Sequence, residues 1–468
     1  MKKHIILLSA AGLLFSSCGV YTKYKPATEV PDGLYGEEIA TFTESTDGSP
    51  VATEDSLNRG LGGMDWRELF TDPHLQALIG QGLQNNTDYQ SAQLRVEEAE
   101  ATLLSAKLAF LPSFAFAPQG TVSSFDSHKA TQTYSLPVTA SWELDIFGKM
   151  RNSKRQAQAL YAQSKDYKQA VRTQLISGIA NTYYTLLMLD DQLACAQNMV
   201  RSWEETVRSA RALMNAGQAN EAAVSQMEAA CYEVQASVLD LKEQINQVEN
   251  SFALLLAETP RSYKRGTLTG IQMPDELSVG IPMQMLANRP DVRMAERSLE
   301  SAFYATNAAR SAFYPSITLS GSAGWTNSAG SMIINPAKFL ASAVGSLTQP
   351  LFARGQLLGQ LKISKAQQEE AALSFQQTLL NAGSEVNDAL TAWQTSRDKS
   401  LLLDKQVVSL QKAVESTSLL MEHGTTTYLE VLTAKQNLLS AQLTQTANRF
   451  SEIQSVITLY CALGGGQE

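Results

Sequence analysis

Ala308-Ala309-Arg310-Ser311-Ala312-Phe313-Tyr314-Pro315-Ser316-Ile317-Thr318-Leu319 carries a helix-period segment into a proline and leaves it alternating. Ser105-Ala106-Lys107-Leu108-Ala109-Phe110-Leu111-Pro112-Ser113-Phe114-Ala115-Phe116 does the same. Pro112 and Pro315 stand 203 positions apart, and the same step carries Asp88 onto Asp291. The chain therefore reads as a tandem duplication, and a repeat constrains every later assignment of fold.

Downstream of each proline the side-chain period is two. From Gln132 to Ile146 the even positions hold Tyr134, Leu136, Val138, Ala140, Trp142 and Leu144, and the odd positions hold Thr133, Ser135, Thr139, Ser141 and Glu143. That alternation predicts a strand with one greasy face and one wet face. Phe114, Phe116 and Val122 pattern a partner strand, across a loop near 123–130. In the second repeat, Ile317, Leu319, Ala323 and Trp325 alternate with Ser316, Thr318, Ser320 and Ser322. A fourth strand, about Phe339 to Leu351, sets Ala341, Ala343 and Leu347 against Ser342, Ser346 and Thr348.

Beyond the strands the period becomes helical. From Met150 to Ala216 there is no proline, and Gly178 is the only glycine. A helix of that length would measure about 100 Å at the usual rise per residue. A second long helix, about Arg354 to His423, carries Phe375, Leu379, Ala382, Val386, Ala389 and Trp393, then Val407, Leu410, Val414, Thr417 and Met421. Ser396 and Ser400 fill the gap in this stripe of alternating threes and fours. A sustained seven-residue period imposes left-handed supercoiling. Turns are expected at Gly217-Gln218-Ala219-Asn220 and Gly424-Thr425-Thr426-Thr427, with returning helices to about Glu258 and Leu463. Asp72 before Pro73 predicts a helix start, and Asn85-Asn86-Thr87-Asp88 a break followed by a new cap. Gly464-Gly465-Gly466 is expected to fray the end.

Lys2 and Lys3 precede the apolar run Ile5 to Phe15, and Ser16, Ser17 and Cys18 follow. A basic start, a short apolar run and small residues make a secretory signal. A cysteine after the cleavage site is similar to a bacterial lipoprotein signal, so Cys18 is the expected lipidation site. Gly19 follows it, not the aspartate associated with inner-membrane retention. The stretch to about Gly63 is rich in Thr, Ser, Asp, Gly and Pro and reads as a tether.

The organisation expected is a signal at 1–17, a tether at 18–64, repeat one at 65–259, a crossover at 260–287, repeat two at 288–463 and a tail at 464–468. Repeat one holds strands within about 112–147 and a helical hairpin over about 150–258; repeat two holds strands within about 315–352 and a hairpin over about 354–463. The fold class is mainly α with a membrane β-barrel portion. Four strands cannot close a barrel in lipid, where open edges are not tolerated and the smallest outer-membrane barrels have about eight. The chain must therefore oligomerise.

Composition removes other classes. The 37 basic and 46 acidic residues give net −9, which disfavours nucleic acid as a partner. No apolar run approaches the about 18 residues of a membrane-spanning helix. Cys18, Cys195, Cys231 and Cys461 have no metal-ligand spacing, so no metal or cofactor is expected, and the last three read as packing residues. Ser396-x-x-Lys399 and Ser409-x-x-Lys412 match a nucleophile pattern, but both lie in the long helix without a supporting motif. No enzyme is expected.

Over nearly all its mature length the sequence resembles the TolC-like outer-membrane efflux proteins, in particular their lipoprotein branch of multidrug efflux type. The stretches that carry the resemblance are Asp65 to Pro73, Asn288 to Asp291, Ala309 to Ser316 and the turns at Gly217 and Gly424. The resemblance implies a homotrimer with a twelve-stranded barrel and an α-helical tunnel in the periplasm. It implies a lipid-anchored protein in the outer membrane of a Gram-negative bacterium, docked to a periplasmic adaptor and an inner-membrane pump. It makes Gly217, Gln218, Gly424, Thr425 and Thr426 the adaptor-facing tips. It also makes Glu430 a candidate rung of an acidic constriction at the periplasmic mouth. A solvated helix face is the other reading of Glu430, and the first repeat has Ala223 at the equivalent place. Three functions stay open: a passive duct for drugs and other small molecules, a duct serving a type I protein exporter, and a periplasmic lipoprotein scaffold without a pore.

Overall fold

The computed structural model describes residues 24–25, 61–124, 126, 130–217, 219–271, 288–327, 338–423 and 425–467. The expected signal, Cys18, most of the tether, Gln218, Gly424 and positions 272–287 of the crossover lie outside them.

The helices run α1 Trp66–Leu69, α2 Pro73–Asn85, α3 Thr87–Leu108, α4 Lys149–Asn215, α5 Glu221–Leu255, α6 Pro290–Ser311, α7 Gln356–Glu422 and α8 Tyr428–Ala462. The strands are β1 Ser113–Phe116, β2 Gln119–Ser123, β3 Thr131–Leu144, β4 Ser316–Asn327 and β5 Lys338–Thr348. The duplication is visible in lengths alone. α3 and α6 each have 22 residues, α4 and α7 each 67, and α5 and α8 each 35. Within the described residues no helix is long and apolar enough to cross a membrane. This mainly helical chain with a sheet portion is the fold class that the repeat pattern predicts.

The chain forms two compact units. The first takes the described residues of 95–165 and 294–377, with Tyr24 and Lys25. Its sheet is antiparallel in the order β1–β3–β4–β5, with β2 also on β3. β1 and β2 share one register against β3: Phe116 opposes Val138 and Gln119 opposes Ser135. They are thus one row, interrupted at Ala117-Pro118. The break has a cause on the facing strand. Ala117 N–H donates to Pro137 O at 3.1 Å, but Pro137 has no N–H to return. On its other side Pro137 opposes Gly324.

The second unit takes the described residues of 61–94, 166–293 and 378–467. One core gathers Phe70, Leu75, Ile79, Ile179, Tyr183, Tyr184, Phe252 and Tyr460, all fully buried. Phe70 meets Tyr184 and Tyr460 with ring centroids 6.4 and 6.3 Å apart. A second core joins Trp203, Val224, Met227, Cys231, Val407 and Leu438. The caps fall where expected: Asp72 accepts from His74 N at 2.8 Å, and Asn86 from Tyr89 N at 2.9 Å. The predicted stripe of α7 is the buried one, Phe375, Leu379, Ala382, Val386, Ala389, Trp393, Ser396 and Val407 included. Cys231 is a buried packing residue, and burial pushes the Cys461 thiol up to about 11.

The expectation of a frayed glycine end is overturned. Gly464, Gly465 and Gly466 are buried. Thr173 Oγ1 donates to Gly465 O at 2.8 Å, and Gly466 N–H donates to the Tyr460 hydroxyl at 2.7 Å. A Cβ on Gly465 would stand 2.5 Å from the Tyr460 ring, so glycine here permits close packing, not disorder.

Candidate functional site

Three places carry the functional geometry: the two faces of the sheet, the paired turns of the helical unit, and a buried cation near them.

The pleat sorts the strand residues onto two surfaces. Leu136 pairs with Trp325, Val138 with Ala323, Ala140 with Gly321, Trp142 with Leu319 and Leu144 with Ile317. The same face continues through Trp325–Phe339, Ala323–Ala341 and Ile317–Leu347 on one side and Phe114–Ala140 and Phe116–Val138 on the other. Phe114, Phe116, Val138, Trp325, Phe339 and Leu347 are all exposed in the single chain. The opposite face carries Ser135, Thr139, Ser141, Ser320, Ser322, Ser342 and Ser346, and the Ser322 and Ser342 hydroxyls hydrogen-bond at 2.8 Å. Leu340 and Val344 also fall on this hydroxyl face, an exception that the alternation read from the sequence passed over. Among the described strand residues, Glu143 and Lys338 alone are charged, near the ends of their strands. Among the described residues, both outer rows, β1/β2 and β5, have one unpaired side.

At the other candidate site, the described parts of the two predicted turns face one open cavity of about 1030 Å³. Gly217 and Asn220 line it from the first turn, and Met421, His423, Thr426 and Tyr428 from the second. Gly217 has φ +75, a conformation that favours glycine, and its N–H donates to Met214 O at 2.9 Å. Asn220 caps α5 by accepting from Ala223 N at 2.8 Å. Thr425 donates to Leu420 O through both its N–H and its hydroxyl, each at 2.9 Å. Thr426 spends its hydroxyl on Glu430 Oε2. Glu430 is exposed in the first turn of α8, where a carboxylate also suits the helix dipole. Gln218 and Gly424 lie outside the described residues. The geometry thus brings Gly217 and Thr426 to one cavity and puts Glu430 beside Thr426.

Lys435 went unread in the sequence. It is 3% exposed, on the α8 stripe of Val431, Ala434 and Leu438. Its ammonium donates to Ser202 O at 2.9 Å, to Ser202 Oγ at 2.8 Å and to Thr206 Oγ1. It also lies 5.2 Å from the Trp203 ring centre. Burial lowers its pKa to about 8, against the pull of Glu205 in the other direction. A lysine at an inward helical position was the available signal.

Two arginines hold the remainder. Arg289, of the Asn288 to Asp291 stretch, donates to Ala462 O at 2.8 Å, to Asp291 and to Glu385. It so closes the carbonyl end of α8. Arg265, in the crossover, bridges Asp190 and Glu249. Of the nucleophile-like serines, Ser409 donates to Lys405 O at 2.9 Å, and Ser396 is buried, its carbonyl accepting from Asn448.

A family profile described as outer membrane efflux protein matches residues 78–258 and 281–465, one span in each repeat. The Cation efflux system protein CusC of Escherichia coli O6:H1 is 27% identical over 465 residues, covering 98% of this chain and 98% of that protein. The Probable outer membrane lipoprotein SilC of Salmonella typhimurium is 27% identical over 408 residues, covering 86% of this chain and 88% of that protein. A crystal structure of CusC superposes with TM-score 0.83 at 25% identity, covering 96% of this chain and all of that one. The twofold helix–strand–helix repeat, the two-faced sheet and these matches agree: the chain is an outer-membrane efflux channel and belongs to the outer membrane efflux protein family.

Proposed function

We propose that three copies of the chain close one twelve-stranded barrel and form a passive duct. The observation that carries this is the sheet with two unlike faces and two open outer rows. β1 and β2 make one row, so each copy brings four, and the β5 row of one copy would pair with the β1/β2 row of the next. The apolar face would meet lipid and the hydroxyl face would line a wet bore. A second apolar line on α7, including Leu373, Leu380, Leu401 and Val408, is exposed in the single chain and suits contact with another copy.

The cavity between the two turns would be the docking end for a periplasmic adaptor. An inner-membrane pump would then supply the energy. Gly217, Gln218, Gly424, Thr425 and Thr426 would make the tips, and three Glu430 carboxylates would ring the mouth and favour cations. Cys18 would carry the lipid; the likeness to a protein named as an outer membrane lipoprotein supports this. The cargo class is drugs and other small solutes, with inorganic cations included because of the likeness to a cation efflux protein. The test is native mass measurement of the purified protein, followed by single-channel recording in planar bilayers. A trimer with a stable conductance is expected. A monomer that gives none sinks the duct.

A further inference from the structure

We propose that Asn152 and Asn307 bind each other across α4 and α6, and that this buried amide pair tells the helix contact inside one chain from its counterpart between copies. The second half of this rests on the closed ring of copies proposed above; the pair itself does not.

α4 and α6 run antiparallel against each other. Gln163 Nε2 donates to Met294 O at 3.4 Å, and nearer the sheet the Arg155 guanidinium lies 5.7 Å from the centre of the Tyr304 ring. Three residues nearer still on each helix stand Asn152 and Asn307. A step of three keeps a residue on the same helix face, so the two amides share one level on facing stripes. They are 2% and 1% exposed. Their free atoms are complementary. Asn152 Nδ2 donates to Gly148 O at 2.7 Å, which leaves Oδ1, an acceptor, without a partner. Asn307 Oδ1 accepts from Arg310 Nη1 at 3.3 Å, which leaves Nδ2, a donor, without one. Each amide is thus oriented by its own helix. Left unpaired, both atoms oppose folding; one hydrogen bond from Asn307 Nδ2 to Asn152 Oδ1 satisfies the two together.

The internal repeat shows what stands at the same place in the other contact. Trp142 Nε1 donates to Phe110 O at 2.9 Å, and Gln349 Nε2 donates to Phe313 O at 3.1 Å. The glycines before the two long helices match as well, Gly148 at φ +74 and Gly355 at φ +80. Equivalent positions are therefore 203 apart between α3 and α6, and 207 apart between α4 and α7. Carried over, Asn307 corresponds to Leu104 of α3 and Asn152 to Gly359 of α7. Leu104 is exposed, and a Cβ on Gly359 would meet nothing within 4 Å. Both are open in the single chain, as partners for another copy would be. Around the ring the two contacts would alternate, one with an amide pair and one with a leucine over a glycine. An amide set against Leu104 or Gly359 would be buried without a partner, so α3 of one copy would replace α6 of another only at a loss. Repeated elements are otherwise prone to such exchange.

The test is a double-mutant cycle on the full-length protein in detergent, read as melting temperature. Asn152→Ala and Asn307→Ala should each lower it by several degrees. The double variant should lose clearly less than the two shifts together, because the second substitution strands no further amide. Additive shifts overturn the pair. Should a single variant fail to fold, Asn152→Cys/Asn307→Cys decides instead: peptide mapping after oxidation should find positions 152 and 307 joined, and two free thiols overturn the pair. Native mass reads the discrimination. Asn152→Gly/Asn307→Leu writes the between-copy contact into the chain, and larger or mixed oligomers should appear beside the trimer. A trimer alone overturns the discrimination and leaves the pair. If the unaltered protein is itself no trimer, the duct reading fails and takes the discrimination with it, while the melting cycle still judges the pair.

Discussion

Gly324 lies so close to Leu136 that a Cβ at position 324 would stand 2.2 Å from the Leu136 carbonyl oxygen and 2.5 Å from Pro137 Cα. Both neighbours are backbone in a central ladder, so neither can move without opening β3 from β4. Gly324→Ala should cost on the order of 2 kcal/mol or more, as overpacking does at its upper range. Gly345→Ala is the control: its Cβ would meet Leu319 Cδ2 at 3.5 Å, ordinary contact. Heat stability of the assembled protein on gels should fall for the first and hold for the second.

Neighbouring residues of β3 should respond oppositely to the same charge. Val138 is on the apolar face and Thr139 on the hydroxyl face. Val138→Lys would put an ammonium into lipid, a cost of about 2–4 kcal/mol near the bilayer midplane. It should lower the yield of folded oligomer. Thr139→Lys should fold and shift ion selectivity toward anions in bilayer recordings. Equal damage from both would defeat the assignment of the faces.

Glu430→Gln should reduce cation preference and change conductance if the carboxylate stands in the current path. Thr426→Val, which removes the hydroxyl that Glu430 accepts from, should free the carboxylate and alter conductance in the same assay with the charge retained. A reversal potential untouched by Glu430→Gln would return this residue to the solvated helix face.

Lys435 has a folded pKa of about 8 against 10.5 unfolded, so between these values the unfolded chain binds more protons. Its contribution to stability should be flat below about pH 8 and rise from there to about 10.5. Lys435→Met should remove that rise and be neutral or stabilising at pH 7, since Thr206 Oγ1 keeps its bond to Ser202 O at 2.9 Å. Thermal melts of both proteins across this range, compared as a difference, read the sign directly.

Tyr183 donates to Asp72 Oδ2 and accepts from Gly266 N–H at 2.9 Å. Tyr183→Phe leaves the donor of Gly266 without this acceptor and Asp72 without this donor, for a loss of about 1–3 kcal/mol. The melting temperature should fall while trimer formation persists.

Periodicity made the repeat, the strand faces and the α7 stripe legible, because each is written in neighbours along the chain. Asp72 and Asn86 were legible for the same reason: a cap acts two or three residues away. The clamp of Arg265 on Asp190 was not, since 75 positions separate the partners. Lys435 was missed because a lysine on a helix is usually solvated, and only tertiary packing closes Trp203 and Ser202 over it. The glycine end misled in the opposite direction. Flexible composition suggested disorder, while the Tyr460 ring needed a chain with no side chains to pass beneath it.

The interruption of the outer row also bears on life before assembly. Ala117 turns its N–H toward β3, so Pro118 turns toward the open side. There it offers no donor to a strand that arrives by accident. The single chain thus has one flank that resists fibril-like addition, and in the proposed barrel the neighbouring copy would pair there with one ladder bond fewer.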